Sequence, residues 1–154
     1  MNPLIKNSFL GVLPCAVLLS FLGCGRTSNP QEASHPLTAV HTTHVCSSND
    51  PDGEDVTDNT LRTTKTYTGQ WLHVTTTEDG IGSNEHGTIA GREGKLLDKT
   101  DILQNNDVVG STLRWEFTNW SNDLFVFTAT DLNDSNSKKN TPPLRIAGNN
   151  TAPH

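Results

Sequence analysis

The chain has 154 residues and a formal net charge of −6, and hydrophobic residues make up 32% of it. A chain of this length holds one domain, and so low an apolar content allows one modest core that does not reach from end to end. The lysines and arginines are few and scattered. Because a polyanion is bound by clustered cations that release its counterions, this composition argues against nucleic acid as a partner.

The N-terminal segment has the layout of an export signal. Lys6 precedes an apolar run, Ser8 to Leu22, which stops at Gly23-Cys24, and the residues that follow are polar. A cation, an apolar core and a small residue before the cut are the parts of a signal peptide. The sequence therefore predicts export.

The end of this run, Leu22-Gly23-Cys24, resembles the lipobox of bacterial lipoproteins, in which the cysteine after the cut receives lipid. The resemblance implies that residues 1–23 are removed and that acylated Cys24 holds the protein in a lipid bilayer. Gly25 follows, where an Asp would be the inner-membrane retention signal, so the resemblance implies the outer membrane of the cell envelope. The alternatives are plain secretion after a cut behind Gly25, or an uncleaved anchor, for which the run is short of the usual span of about 20 residues.

The chain has three cysteines, at positions 15, 24 and 46. Cys15 leaves with the signal and Cys24 takes the lipid, so Cys46 is the free thiol that remains. Without acylation, a Cys24–Cys46 disulfide becomes available, as is usual for paired cysteines in exported proteins.

Residues 24–39 contain two prolines and small polar residues, a composition that buries too little surface to offset chain entropy, so we predict a flexible tether. The remainder to residue 147 favours a small, mainly β domain, either an antiparallel sandwich or an open barrel. Residues 148–154 are expected to be a disordered tail. The predicted strands cover Val40–Cys46, Leu61–Tyr67, Gln70–Thr77 and Thr88–Ala90, with an acidic loop at Ser47–Asp55 and an ambiguous segment at Lys95–Asp107.

The clearest strand pattern lies in residues 112–130. Leu113, Trp115 and Phe117 alternate with polar residues, as in a half-buried strand. Turn-forming residues follow, and Leu124–Thr130 returns as a second apolar strand. The sequence predicts a β-hairpin at the centre of the core.

A short motif, Tyr67-Thr68-Gly69-Gln70-Trp71, resembles the Gly-x-Trp at the start of lipocalins and related calycins. That resemblance implies a tryptophan that closes one end of a barrel around an apolar ligand. The alternative is an ordinary core tryptophan after a turn.

His41, His44 and Cys46 are three metal-ligating side chains within six residues. Strict strand alternation would put His44 and Cys46 on one face and His41 on the other, so one ion needs a bend to bind all three. The chain has no Gly-x-Ser-x-Gly or His-Glu-x-x-His motif, so we assign no catalytic residue and no cofactor. The sequence favours a lipid-anchored, non-enzymatic binding or structural module, with an envelope protein as a further partner. The alternative is a secreted metal-handling protein or small enzyme that uses His41, His44 and Cys46.

Overall fold

The computed structural model describes residues 35–57 and 61–151. The predicted signal peptide, Cys24, the tether as far as residue 34 and residues 152–154 lie outside this part. The strands are β1 (Ala39–Ser47), β2 (Asp50–Asp55), β3 (Tyr67–Gly69), β4 (Leu72–Asp79), β5 (Gly82–Ile89), β6 (Arg92–Glu93), β7 (Lys95–Gln104), β8 (Asp107–Phe117), β9 (Ser121–Asp131), β10 (Lys138–Asn140) and β11 (Leu144–Asn150). In the described ranges no helix is long and apolar enough to cross a membrane.

The strands form two sheets. The first sheet has the order β2-β1-β4-β8-β7, and the second has the order β3-β11-β9-β5-β6 with β10 also paired to β9. All pairings are antiparallel except that of β3 with β11. Because the two sheets share no strand, the architecture is a sandwich, one of the two predicted alternatives. The predicted fold class, a small and mainly antiparallel β domain, is confirmed.

The core lies between the sheets and follows from a period of two residues. In β4, Leu72, Val74, Thr76 and Glu78 are all buried, while the residues between them are half-buried on the outer face. The apolar part of the core is supplied by both sheets, and its largest members are Trp115, Trp120, Tyr67, Phe125 and Phe127. Toward the end of β4 the inward positions become polar.

The predicted hairpin over residues 112–130 is wrong, because β8 belongs to the first sheet and β9 to the second. Residues 118–120 cross from one sheet to the other. The ring centroids of Trp115 and Phe127 are 5.8 Å apart, and those of Phe117 and Phe125 are 5.9 Å apart with the rings edge to face. The crossover lets the apolar faces of both strands cover each other, whereas a hairpin would have put them side by side in one sheet.

The glycine-rich segment at residues 80–94 contains β5, a longer strand than the predicted Thr88–Ala90, and the short strand β6. Its glycines make room for aromatic rings from the opposite sheet. A Cβ atom on Gly87 would lie 2.7 Å from the Trp115 ring, and one on Gly94 would lie 2.5 Å from the Phe117 ring. Gly87 therefore permits the close approach of β5 to β8.

Residues 47–55 and 61–67 differ from their predicted structures and pack together as a polar edge of the sandwich. The predicted acidic loop contains β2, which pairs with β1. The predicted strand at 61–67 is largely irregular: it makes one isolated bridge, from Arg62 to Arg145 of β11, and is a regular strand only from Tyr67 on. Glu54 accepts hydrogen bonds from the backbone N–H groups of Thr64 and Lys65, both at 3.0 Å, and Lys65 Nζ lies 2.8 Å from Asp50 Oδ2. These contacts compensate the negative charges, so the acidic segment can form an edge strand.

The domain is slightly longer at each end than predicted. Leu37 is 3% exposed, and its backbone N–H donates to Asp131 Oδ2 at 2.6 Å, so residues 35–39 of the predicted tether belong to the sandwich. At the other end, β11 continues to Asn150, and the Thr151 N–H donates to Gly69 O at 2.9 Å. Backbone pairing with β3 and β9 keeps these polar residues in the sheet, although their sequence has no alternation of apolar and polar residues.

The segment that was ambiguous in sequence, Lys95–Asp107, supplies β7 and the turn that joins it to β8. As an edge strand β7 buries no complete face, and Leu103 is 62% exposed. A strand without a buried face gives no alternating pattern, which explains why the sequence left it undecided.

Substituting Gly87 with Ala should lower the free energy of unfolding by about 1–3 kcal/mol, because the added methyl group overlaps the Trp115 ring. Gly91 offers a control, since it has a φ of +74° and open space where a Cβ would be. Gly91→Asn should change stability by only a few tenths of a kcal/mol, because Asn tolerates a positive φ. Urea unfolding followed by circular dichroism measures both variants. Equal stability of Gly87→Ala and the parent protein would contradict the close packing of β5 on β8.

Candidate functional site

The structure separates the three residues of the predicted metal site. His41 Nε2 donates to Asp79 Oδ2 at 3.0 Å, and His44 Nε2 donates to the carbonyl oxygen of Asp52 at 2.9 Å. Cys46 is a half-buried free thiol. Within residues 35–57 and 61–151, no group of three His, Cys, Asp or Glu side chains could hold a metal ion. The structure therefore does not assemble the predicted site.

The reason lies in an irregularity of β1. The register with β4 shifts between Thr42 and His44, and the buried positions change from Val40 to Val45, an odd separation. This bulge puts His41 on the same outer face as His44 and Cys46, in contrast to the predicted strict alternation. Each histidine nevertheless contacts a different neighbouring strand, His41 the end of β4 and His44 the strand β2.

Another set of side chains is assembled on the outer face of the first sheet. His73 of β4 lies directly opposite Glu116 of β8, and His73 Nε2 donates to Glu116 Oε2 at 3.1 Å. The Trp71 ring stacks on the His73 ring with centroids 4.1 Å apart and an interplanar angle of 16°. Glu116 thus orients His73, and His73 supports the indole of Trp71. The calycin-like role of Trp71, closing a barrel end, does not apply to this sandwich.

Two surface clefts adjoin this cluster at the end of the sandwich where β4 begins. One has a volume of about 380 Å³ and is lined by Gln70, Trp71, Glu116, Thr118, Asn150 and Thr151. The other has a volume of about 250 Å³ and is lined in part by Arg92, Glu93, Lys95 and Asn119. Both clefts include Glu116 and Thr118, so they adjoin each other. We refer to the two clefts together as the groove.

Four charged side chains line the groove, and their formal charges cancel. Arg92 and Lys95 are matched by Glu93 and Glu116. Three of its amide and hydroxyl side chains are free of internal hydrogen bonds among the described residues. In the described part of the chain, the side chains of Gln70, Thr118 and Asn119 make no hydrogen bond. The groove therefore offers unoccupied donors and acceptors next to a fixed aromatic ring.

A second group of charged residues surrounds a carboxyl group that is buried in the sandwich. The Glu78 side chain is fully buried, and Lys99 Nζ lies 3.6 Å from Glu78 Oε2 and 2.6 Å from Glu85 Oε1. Neither carboxylate oxygen of Glu78 has a hydrogen-bond partner. Burial raises the pKa of Glu78, an effect that the charge of Lys99 opposes. A Cβ on Gly82 would lie 2.3 Å from Glu78 Oε1, so backbone closes over this carboxyl group and leaves no space for a ligand.

The residues of the groove come from distant segments of the chain, so no local sequence pattern indicates it. The alternation in β4 and β8 does put His73 and Glu116 on the faces opposite the apolar residues. The alternation does not, however, give the register between β4 and β8, which makes the two residues direct neighbours.

A family model described as "Domain of unknown function (DUF4879)" matches residues 30–142. The chain belongs to this family. The match extends from the residues before β1 through β10, and it includes the Trp71–His73–Glu116 cluster. No curated protein and no solved structure matches the chain significantly.

Substituting Glu78 with Gln should stabilise the protein at pH 8 by about 1 kcal/mol, because it removes a buried charge with incomplete compensation. A carboxyl group whose pKa is raised by folding contributes stability below its unfolded pKa and loses that contribution as the pH rises through its folded pKa. The gain from Glu78→Gln should therefore shrink as the pH falls toward 4.5.

Urea unfolding between pH 4.5 and 8 tests this expectation, with Asp101→Asn on the exposed strand β7 as the control for charge. The control should differ little from the parent protein at any pH. The prediction is contradicted if the stability of Glu78→Gln relative to the parent protein is lower at pH 8 than at pH 5. That result would show that Lys99 favours the carboxylate more than burial disfavours it.

The three tryptophans should differ sharply in their access to solvent. Trp115 and Trp120 are 2% and 1% exposed, whereas Trp71 is half-buried at the groove. Acrylamide should therefore quench mainly Trp71, and Trp71→Phe should leave a fluorescence that is nearly resistant to quenching. Unfolding in urea should restore quenching of the two remaining tryptophans. Unchanged quenching in folded Trp71→Phe would contradict this placement.

Proposed function

We propose that this protein is a bacterial envelope lipoprotein whose β-sandwich is a non-enzymatic binding module. The N-terminal apolar run ending at Gly23-Cys24 supports acylation of Cys24. A bacterial lipoprotein cysteine carries more than one chain, and each buried CH₂ contributes about 0.8 kcal/mol to membrane binding. Gly25 in the position after the cysteine favours the outer membrane.

The observation that carries the proposal is the position of the groove relative to the point where the chain enters the domain. The chain enters the domain beside the end of β4. There the Thr38 N–H donates to Asp79 O at 2.8 Å, and the Ile81 N–H donates to His35 O at 2.9 Å. Trp71 stands just before the start of the same strand. The eight residues of β4 separate the two ends by about 26 Å.

This arrangement suits a domain that is anchored through its N-terminus. Residues 25–34 connect Cys24 to the sandwich and can span at most about 35 Å when fully extended. The chain enters the sandwich at one end, and the groove lies at the other end. Trp71 and the free amides beside it are therefore separated from the point of entry by the length of β4.

Metabolic labelling with palmitate tests the anchor, and the chain provides a matched control in its second mature cysteine. The parent protein and Cys46→Ala should incorporate label and fractionate with the outer membrane. Cys24→Ala should incorporate none, and globomycin should cause the unprocessed precursor of the parent protein to accumulate. Labelling of Cys24→Ala, or an unlabelled parent protein in the soluble fraction, would contradict lipid anchoring.

A further inference from the structure

We infer that the groove binds an uncharged oligosaccharide. This inference rests on the proposed function, since it names the class of ligand that the binding module takes. It is based on three features of the groove, namely a fixed aromatic ring, unpaired amide and hydroxyl groups, and charges that cancel.

The aromatic ring is held in place before any ligand arrives. Glu116 accepts the hydrogen bond of His73, and the His73 ring lies nearly parallel to that of Trp71 at 4.1 Å. A sugar ring presents a face of C–H groups that packs against a flat aromatic surface. Because Trp71 is already oriented, little side-chain freedom is lost when such a ring binds.

The polar groups beside Trp71 match a ligand with many hydroxyl groups. Each hydroxyl of a sugar both donates and accepts hydrogen bonds, and so does each side-chain amide. Gln70 lies next to Trp71, and Thr118 and Asn119 continue along the groove. These side chains have no hydrogen-bond partner in the described structure, so a ligand need not displace an internal bond to reach them.

Charge and shape disfavour other classes of ligand. The two cations of the groove, Arg92 and Lys95, are balanced by Glu93 and Glu116, so a polyanion finds no excess of positive charge. A fatty ligand requires an enclosed, mostly apolar cavity, whereas these clefts are open to the surface and have charged and amide side chains in their lining. Two adjoining clefts that share Glu116 and Thr118 suit a chain of linked sugars better than a single one.

The test is a fluorescence titration of the full-length protein in a detergent without a sugar headgroup, because a maltoside detergent would compete for the groove. The probes are a panel of neutral tetrasaccharides that includes the N-acetylglucosamine and glucose tetramers. At least one should change the fluorescence of Trp71. The dissociation constant should change less than twofold between 50 mM and 500 mM salt, because binding of an uncharged sugar releases no counterions.

Variants locate the binding. Trp71→Ala should weaken it at least tenfold, and Gln70→Ala should weaken it several-fold. Gln104→Ala is the matched control, since Gln104 lies exposed in β7 outside both clefts, and it should bind like the parent protein. Isothermal titration calorimetry replaces fluorescence for Trp71→Ala, and thermal unfolding verifies that each variant is folded. If Trp71→Ala does not fold, Trp71→Phe should bind with reduced affinity.

Absence of binding to every neutral tetrasaccharide would overturn the inference, and so would binding that is unaffected by both Trp71→Ala and Gln70→Ala. Binding of an extended polar decapeptide in the groove, without binding of any sugar, would also overturn it while leaving the envelope binding module in place. Loss of palmitate labelling at Cys24 would instead contradict the proposed function and would leave the sugar titration unaffected.

Discussion

The contact between the apolar faces of β8 and β9 across the sandwich is the interaction on which the rest of this structure depends. Trp115 and Phe117 from one sheet meet Phe127 and Phe125 from the other. Edge-to-face and tilted contacts of this kind contribute about 0.5–1.5 kcal/mol per pair beyond the burial of apolar surface. With so little apolar sequence available, the domain concentrates its aromatic residues where both sheets can share them, and Gly87 allows the sheets to approach.

The same connection also creates the groove. Because the chain crosses between sheets at residues 118–120 and does not turn back as a hairpin, Thr118 and Asn119 stand at the end of the sandwich beside Glu116. The pairing of β8 with β4 then brings Glu116 next to His73, and the first sheet presents Trp71 at the same end. At the opposite end, where the chain enters, the interior holds the buried Glu78 carboxyl group, which Lys99 and Glu85 approach from the surface.

Local sequence patterns were sufficient to predict the fold class and the positions of several strands. The alternation of Leu113, Trp115 and Phe117 predicted β8, and the β-branched run after Trp71 predicted β4. This alternation did not predict β7, because β7 buries no complete face. It did not predict β2 either, because the acidic residues of β2, such as Glu54, are stabilised by partners that are distant in sequence. It also failed to distinguish a hairpin from a crossover, since both join two apolar strands through the same turn-forming residues.

The candidate site was less predictable than the fold for a related reason. The three soft ligands of β1 are close in sequence, but the bulge at residues 42–44 and the neighbouring strands direct them to different partners. Trp71, His73 and Glu116 are assembled by register between β4 and β8, a property of pairing over more than 40 positions. No local motif encodes it.

Backbone nuclear Overhauser effects in the isotopically labelled protein test the central arrangement most directly. Antiparallel pairing of β4 with β8 predicts cross-strand contacts between the backbone protons of Val74 and Trp115 and between those of His73 and Glu116. The crossover predicts side-chain contacts of Phe117 with Phe125 and no backbone pairing between β8 and β9. A ladder of backbone contacts between β8 and β9 would establish the hairpin, would put both strands in one sheet, and would contradict the origin of the groove described above.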